Sequence, residues 1–213
     1  MSAASRIVPR LLMITPPRAI WGAPLRGALE AAVDGGVDAL LVRLPTSTAA
    51  EVFELARHAR PLLAAAGARL LIHDRLDVAL AVRADGVHLA RRSLPLAVAR
   101  ACLPSGILGY SAHSDDEREA ARDGGADYVT LSPVFATTSK PDVRPLGPAA
   151  AMASTRGSAL PTLWLGGICA ANIESVARDS GVGPHGLAAI DAFADAGTAG
   201  EEARRMSAWL GAR

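Results

Sequence analysis

Lysine is nearly missing from this chain: of its 22 basic residues 21 are arginine, and Lys140 stands alone. A lone ammonium in a polar loop marks that position, because lysine and arginine are not chemically interchangeable. Cysteine is scarce as well. Cys102 and Cys169 form no CxxC pair, which excludes a disulfide framework and a structural zinc site. Charge of one sign is not in excess, since 22 basic residues face 21 acidic ones for a formal net charge of +1. Without a dense basic run, nucleic acid is not an expected partner. No apolar run reaches the roughly 18 to 20 residues of a membrane span, and no signal-peptide succession opens the chain. A membrane partner is therefore not expected, and a cytoplasmic location is. What is present is 213 residues, 50% of them hydrophobic, with 20 glycines and 14 prolines. That is enough for one well-buried globular domain and small for two, so a single domain over residues 1–213 is expected.

Short apolar runs alternate with longer segments of helical periodicity along the whole chain, the order of a parallel α/β fold. Eight runs read as strands: 10–15, 39–43, 70–73, 86–89, 108–111, 128–132, 162–165 and 187–190. Between them lie amphipathic stretches such as Val52, Leu55, Ala56, Ala59, Leu62 and Leu63, whose spacing fills one helix face. Residues 201–210 read as a closing helix. The segment Glu30-Ala31-Ala32-Val33-Asp34-Gly35-Gly36-Val37-Asp38 returns as Glu119-Ala120-Ala121-Arg122-Asp123-Gly124-Gly125-Ala126-Asp127. Each copy reads as a helix end, a left-handed glycine cap and a turn into a buried strand. The copies precede the second and sixth strands, half of eight units apart. The expected fold is a closed (βα)8 TIM barrel, with an open doubly wound sheet as the alternative.

In such a barrel, polar residues at strand C-termini face the active site. That rule selects Thr15, Arg43, His73, Asp74, His88, Ser111, His113, Ser132, the Thr137–Lys140 loop, Gly166, Gly167 and Asp191. The loop hydroxyls and Lys140 suit an anionic ligand, with a solvated surface loop as the alternative. Gly166-Gly167 lies between the seventh strand and a helix, where backbone N–H groups bind phosphate and where barrels often carry phosphate sites. Asp191 opposes this: a carboxylate about 5 Å from a phosphate charge costs roughly 3 kcal/mol at a dielectric near 20. Asp74 reads as a Mg²⁺ ligand, or else as a helix cap or an Asp-Arg pair. His113 reads as a general acid or base, with a structural histidine as its rival. His88 reads as a packed or substrate-lining group, and His58 and His185 as structural.

Six motifs in order carry a resemblance: Leu71-Ile72-His73-Asp74-Arg75-Leu76-Asp77-Val78-Ala79, Ala84-Asp85-Gly86-Val87-His88-Leu89, Ser111-Ala112-His113-Ser114, Gly125-Ala126-Asp127-Tyr128, Pro133-Val134-Phe135 through Lys140, and Gly166-Gly167-Ile168 with Asn172. Over nearly its whole length the chain resembles the thiamine phosphate synthase and thiazole tautomerase (TenI) family. The resemblance implies a (βα)8 barrel of thiamine metabolism, often a homo-oligomer, whose partner is a small phosphorylated thiazole. It implies substrate contacts from Arg43, His73, Ser111, Thr137, Ser139 and Lys140. It also implies phosphate contacts from Gly166, Gly167, Ile190 and Asp191, a metal role for Asp74 and a catalytic role for His113.

This chain departs from the synthase pattern at five positions. Leu41 and Pro45 stand where the synthase has Gln and Lys, and His73 where it has Asn. Ser93 replaces a second metal carboxylate, and Asp191 replaces a phosphate-site Ser. Those departures favour a tautomerase reading, in which His113 moves a proton on a thiazole carboxylate phosphate and no cofactor is needed. The alternative is the synthase, which joins hydroxymethylpyrimidine pyrophosphate to thiazole phosphate with Mg²⁺. A third reading is a non-catalytic regulator that binds thiazole or thiamine.

Overall fold

A computed structural model describes residues 6–139, 141–176 and 183–211. Eight strands run in parallel: β1 (Leu11–Ile14), β2 (Ala39–Val42), β3 (Arg69–His73), β4 (Gly86–Leu89), β5 (Ile107–Ala112), β6 (Tyr128–Leu131), β7 (Thr162–Trp164) and β8 (Gly186–Ala189). Each pairs with the next, and β8 pairs with β1, so the sheet closes into a TIM barrel. Around it lie α1 (Ala23–Asp34), α2 (Ala49–Ala65), α3 (Leu76–Ala81), α4 (Leu96–Cys102), α5 (Asp115–Asp123), α6 (Pro148–Arg156), α7 (Ala170–Glu174) and α8 (Ala196–Gly211). The open-sheet alternative is excluded by the β1–β8 pairing. Strands β1, β2, β6 and β7 are shorter than the sequence pattern suggests, β3 and β5 are longer and β8 starts and ends one residue earlier, so Thr15, Arg43, Ser132, Leu165 and Ile190 fall just past strand ends. The closing helix starts earlier than expected, at Ala196. Among the described residues no helix is long and apolar enough to cross a membrane.

The strands are apolar on both faces because both are covered. Their alternation divides the core in two. Leu12, Ile14, Ala39, Leu41, Leu71, Ile107, Tyr128, Leu163 and Ala188 fill the barrel interior. Leu11, Met13, Leu40, Val42, Leu70 and Ile72 belong to the larger cluster that meets the helices. Helix α2 packs through Val52, Leu55, Ala56, Ala59 and Leu63, and its first turn is closed by a Thr48–Glu51 capping box.

At the opposite end from the mouth, the aspartates that precede β2, β4 and β6 tie each of these strands to the one before it. Asp38 accepts from the peptide N–H groups of Arg10 (2.9 Å) and Leu11 (3.0 Å), Asp85 from Leu70 (2.8 Å), and Asp127 from Leu108 (2.8 Å). Burial pushes the Asp38 carboxyl above its ordinary pKa although these donors pull it down. The repeated glycine pairs differ from expectation in one detail. The capping Gly35 and Gly124 are right-handed, and the left-handed backbone falls on the second glycines, Gly36 (φ 110°) and Gly125 (φ 88°). Gly35 is required by proximity instead: a Cβ there would sit 2.6 Å from the Ala203 methyl of α8.

Candidate functional site

Strand alternation continues past the apolar layer to form the mouth. From Leu41 it leads to Arg43, from Leu71 to His73, from Gly86 to His88, from Gly109 to Ser111 and from Tyr128 to Thr130 and Ser132. Leu165 and Ile190 pack on the interior cluster as its upper edge. Register puts His73 beside His88 and Ser111 beside Thr130. Arg43, His73, His88 and Ser111 therefore converge from four successive strands. The fully buried Thr15 holds the Arg43 peptide from both sides, accepting from its N–H (2.9 Å) and donating to its carbonyl (3.1 Å).

The two imidazoles stack with ring centroids 6.1 Å apart. His88 is 2% exposed, and its ring meets the Tyr128 hydroxyl at Nδ1 (3.0 Å) and the Ser111 hydroxyl at Nε2 (2.9 Å). Burial is the main reason its pKa drops to about 3, with His73 and Arg43 adding to it. His73 drops to about 4 through burial and the Arg43 charge, which outweigh nearby Asp74. Both rings are neutral at pH 7, so among the four converging side chains the positive charge resides on Arg43.

Asp74 sits just past β3 in left-handed backbone (φ 65°), held by its peptide N–H donating to the His88 carbonyl (3.0 Å). Its carboxylate is exposed. The structural roles considered for it go to neighbours: Arg75 is the N-cap of α3, and Arg75 pairs with Asp77 (2.5 Å). Among the described residues no three His, Cys, Asp or Glu side chains are grouped to hold a metal ion. Ser93, at the position of the second metal carboxylate, uses its hydroxyl to close a turn by accepting from the Ala90 N–H (2.8 Å). His113 is exposed, and its peptide N–H donates to the Glu117 carboxylate (2.7 Å) while Ser114 caps α5. Part of the Ser-Ala-His-Ser motif is thus explained by helix capping.

The loop from β6 to α6 crosses the mouth from the other side. Thr137 is half-buried, Ser139 is exposed, and Lys140 lies outside the described residues. An open cleft of about 650 Å³ is lined by Thr137, Thr138, Asp142 and Arg144 among others. Both Gly166 (φ 94°) and Gly167 (φ 63°) have backbone conformations that favour glycine. Both also lie against this loop. A Cβ on Gly166 would be 2.7 Å from Pro133, and one on Gly167 would overlap the Ala136 carbonyl. Asp191 begins a short 3₁₀ turn after β8, and its carboxylate accepts from the Thr138 hydroxyl (3.1 Å). The carboxylate thereby ties the turn after β8 to the loop and keeps its negative charge there.

The remaining histidines lie elsewhere. His58 stacks on Trp21 (5.8 Å) in a separate cleft of about 320 Å³, and His185 holds the Val8 carbonyl (3.3 Å). Tyr128, Thr130 and Gly109 are part of the polar interior that selecting strand ends alone overlooks. The signal that reveals them is the two-residue alternation below Ser111 and Ser132.

A family model described as thiamine monophosphate synthase matches residues 11–193. A thiamine-phosphate synthase of Chloroflexus aurantiacus is 36% identical over 209 residues, covering 98% of this chain and 95% of that protein. One from Syntrophomonas wolfei is 38% identical over 201 residues, covering 92% and 93%. Among solved structures, thiamine phosphate pyrophosphorylase from Pyrococcus furiosus superposes with a TM-score of 0.81 at 29% identity, covering 95% of both chains.

Proposed function

Because the chain belongs to the thiamine monophosphate synthase family, we propose that it joins a hydroxymethylpyrimidine pyrophosphate to a thiazole phosphate and releases pyrophosphate. The observation that carries this reading is the 36% identity over 98% of the chain to a protein named thiamine-phosphate synthase. This reverses the preference that the five departures suggested. Leu41 is buried in the barrel interior and packs there like its neighbours, so that departure is compatible with an intact fold and an intact Arg43 above it. The tautomerase reading rests on His113, which is exposed just past β5. The regulator reading predicts ligand binding without turnover.

In the proposed reaction the bond between the pyrimidine methylene and the pyrophosphate oxygen breaks, and its electron pair leaves with pyrophosphate. The thiazole nitrogen lone pair then forms the new C–N bond. Arg43 lies where it stabilises the departing anion, and with His73 and His88 neutral it is the charged donor of this convergence. Thr137, Ser139 and Lys140 supply further donors from the loop, and the peptide N–H groups of Gly166 and Gly167 take the thiazole phosphate. The donor set suits a Mg²⁺ that draws most of its oxygens from pyrophosphate and water, with Asp74 as the protein's carboxylate; it does not suit an ion caged by protein alone. When bound, Mg²⁺ neutralises charge on the pyrophosphate.

Incubation with both substrates and Mg²⁺, reading thiamine phosphate and pyrophosphate, tests the proposal. Equimolar products that require both substrates are expected, at a turnover that Arg43→Ala lowers at least about 100-fold, in the range of a lost electrostatic stabiliser. No product from folded protein, or isomerisation of a thiazole carboxylate phosphate in its place, would overturn it.

A further inference from the structure

A buried polar chain runs from the centre of the barrel to its mouth. Tyr128 is fully buried in the apolar interior, its hydroxyl meets His88 Nδ1 at 3.0 Å, and His88 Nε2 meets the Ser111 hydroxyl at 2.9 Å. Thr130 adds a longer contact, its hydroxyl donating to the Ser111 oxygen at 3.5 Å. Gly109 makes the first of these contacts sterically feasible. It pairs with His88 on one side and Tyr128 on the other, and a Cβ there would overlap both the Tyr128 hydroxyl and His88 Nδ1.

We propose that Tyr128 and His88 are positioning residues that fix the direction of the Ser111 hydroxyl, so that it donates its proton to an acceptor atom on the bound substrate. The direction follows from satisfying each group in turn. A neutral imidazole carries one proton, on Nδ1 or on Nε2. If Nδ1 carried it and donated to Tyr128, the phenolic proton would need another acceptor. Among the described residues the Tyr128 hydroxyl has no hydrogen-bond partner other than His88 Nδ1. Stranding a buried donor is disfavoured, so Tyr128 donates to Nδ1 and the proton of His88 lies on Nε2. Nε2 then donates to Ser111. With His88 and Thr130 both donating to its oxygen, Ser111 directs its own proton towards the half-exposed mouth.

Ser111 is thereby a donor to ligand rather than an acceptor from it. The substrate group it selects is a lone-pair bearer, such as a ring nitrogen or an anionic oxygen, and an amino group is rejected at this point. The contact with substrate rests on the reaction proposed above; the direction of the chain does not.

The test has two arms. In ¹⁵N-histidine-labelled protein without substrate, the His88 resonances, assigned through their contacts to Tyr128, are expected to report protonated Nε2 and bare Nδ1. Protonated Nδ1 overturns the proposal whether or not the protein turns over. In steady-state assays, Ser111→Ala is expected to raise the KM of one substrate about tenfold with kcat within about twofold. Tyr128→Phe raises the same KM in part, and adding it to Ser111→Ala brings no further change. Additive effects of the two substitutions would show that Tyr128 does not act through Ser111 and would overturn the proposal. A protein with protonated Nε2 but no activity refutes the reaction alone.

Discussion

His73 and His88 hold their rings neutral at the mouth of the barrel, and the cost of doing so appears as a pH dependence of stability. Their pKa values fall from the ordinary 6.5 to about 4 and about 3 on folding, chiefly through burial. The unfolded chain therefore binds protons that the folded one refuses. Stability is full above pH 6.5 and is lost as pH falls from there towards 4 and 3, by up to about 1.4 kcal/mol per pH unit for each ring. Urea unfolding at pH 7 and pH 5 should show this loss, and His73→Asn should reduce it by about half. An identical pH dependence in the variant would contradict the assignment. The exposed His113 is expected to behave oppositely: His113→Asn leaves thiamine phosphate formation within about twofold, whereas loss of a positioned acid or base costs about 100-fold or more. A loss of that size would return His113 to the chemistry. The sequence favours His113 over His88 by its place just past the fifth strand and in the Ser-Ala-His-Ser motif, with His88 inside a strand run. Which one faces inward depends on where β5 stops and α5 begins, and the Ser114 cap decides that.

Among the elements, the repeated Gly-Gly-x-Asp segments were legible as helix ends turning into strands, but the work of their aspartates was not. Asp127 accepts from the Leu108 peptide and pairs with Arg100 (2.7 Å) and Arg6 (3.1 Å), so one side chain joins β5, β6 and α4. These partners are distant in sequence and no local pattern announces them. Asp127→Ala should destabilise the protein by about 2 to 3 kcal/mol, since it strands a peptide donor and leaves the partly buried Arg100 charge with carbonyl partners only. Asp123→Ala, at an exposed position of the same repeat, should fall within about 0.5 kcal/mol. Equal effects in urea unfolding would refute the role given to Asp127. The glycine pair at 166 and 167 was legible as a tight loop after a strand. Its close approach to Pro133 and Ala136 was not, because that depends on how two neighbouring loops meet.

For the whole molecule, eight apolar runs and a repeat offset by half the barrel carried the closed topology, and the six ordered motifs carried the family. Composition and periodicity report burial, which is why they reach the fold. Reaction type depends on a few side chains at the mouth, and there substitutions such as Leu41 and Asp191 favoured one reaction of the scaffold while whole-chain similarity favours the other. The tie between the Asp191 carboxylate and Thr138, 53 residues earlier in the chain, was not legible, because it too depends on how two loops meet. The proposed reaction requires that phosphorylated substrate bind at this mouth, bounded by Arg43 and Ser111 on one side and Gly166-Gly167 on the other. A crystal structure of the protein soaked with thiazole phosphate tests it most directly. The phosphate is expected within hydrogen-bonding distance of the Gly166 and Gly167 peptides, with the ring on the Ser111 side; a phosphate seated instead in the Trp21–His58 cleft would refute this site.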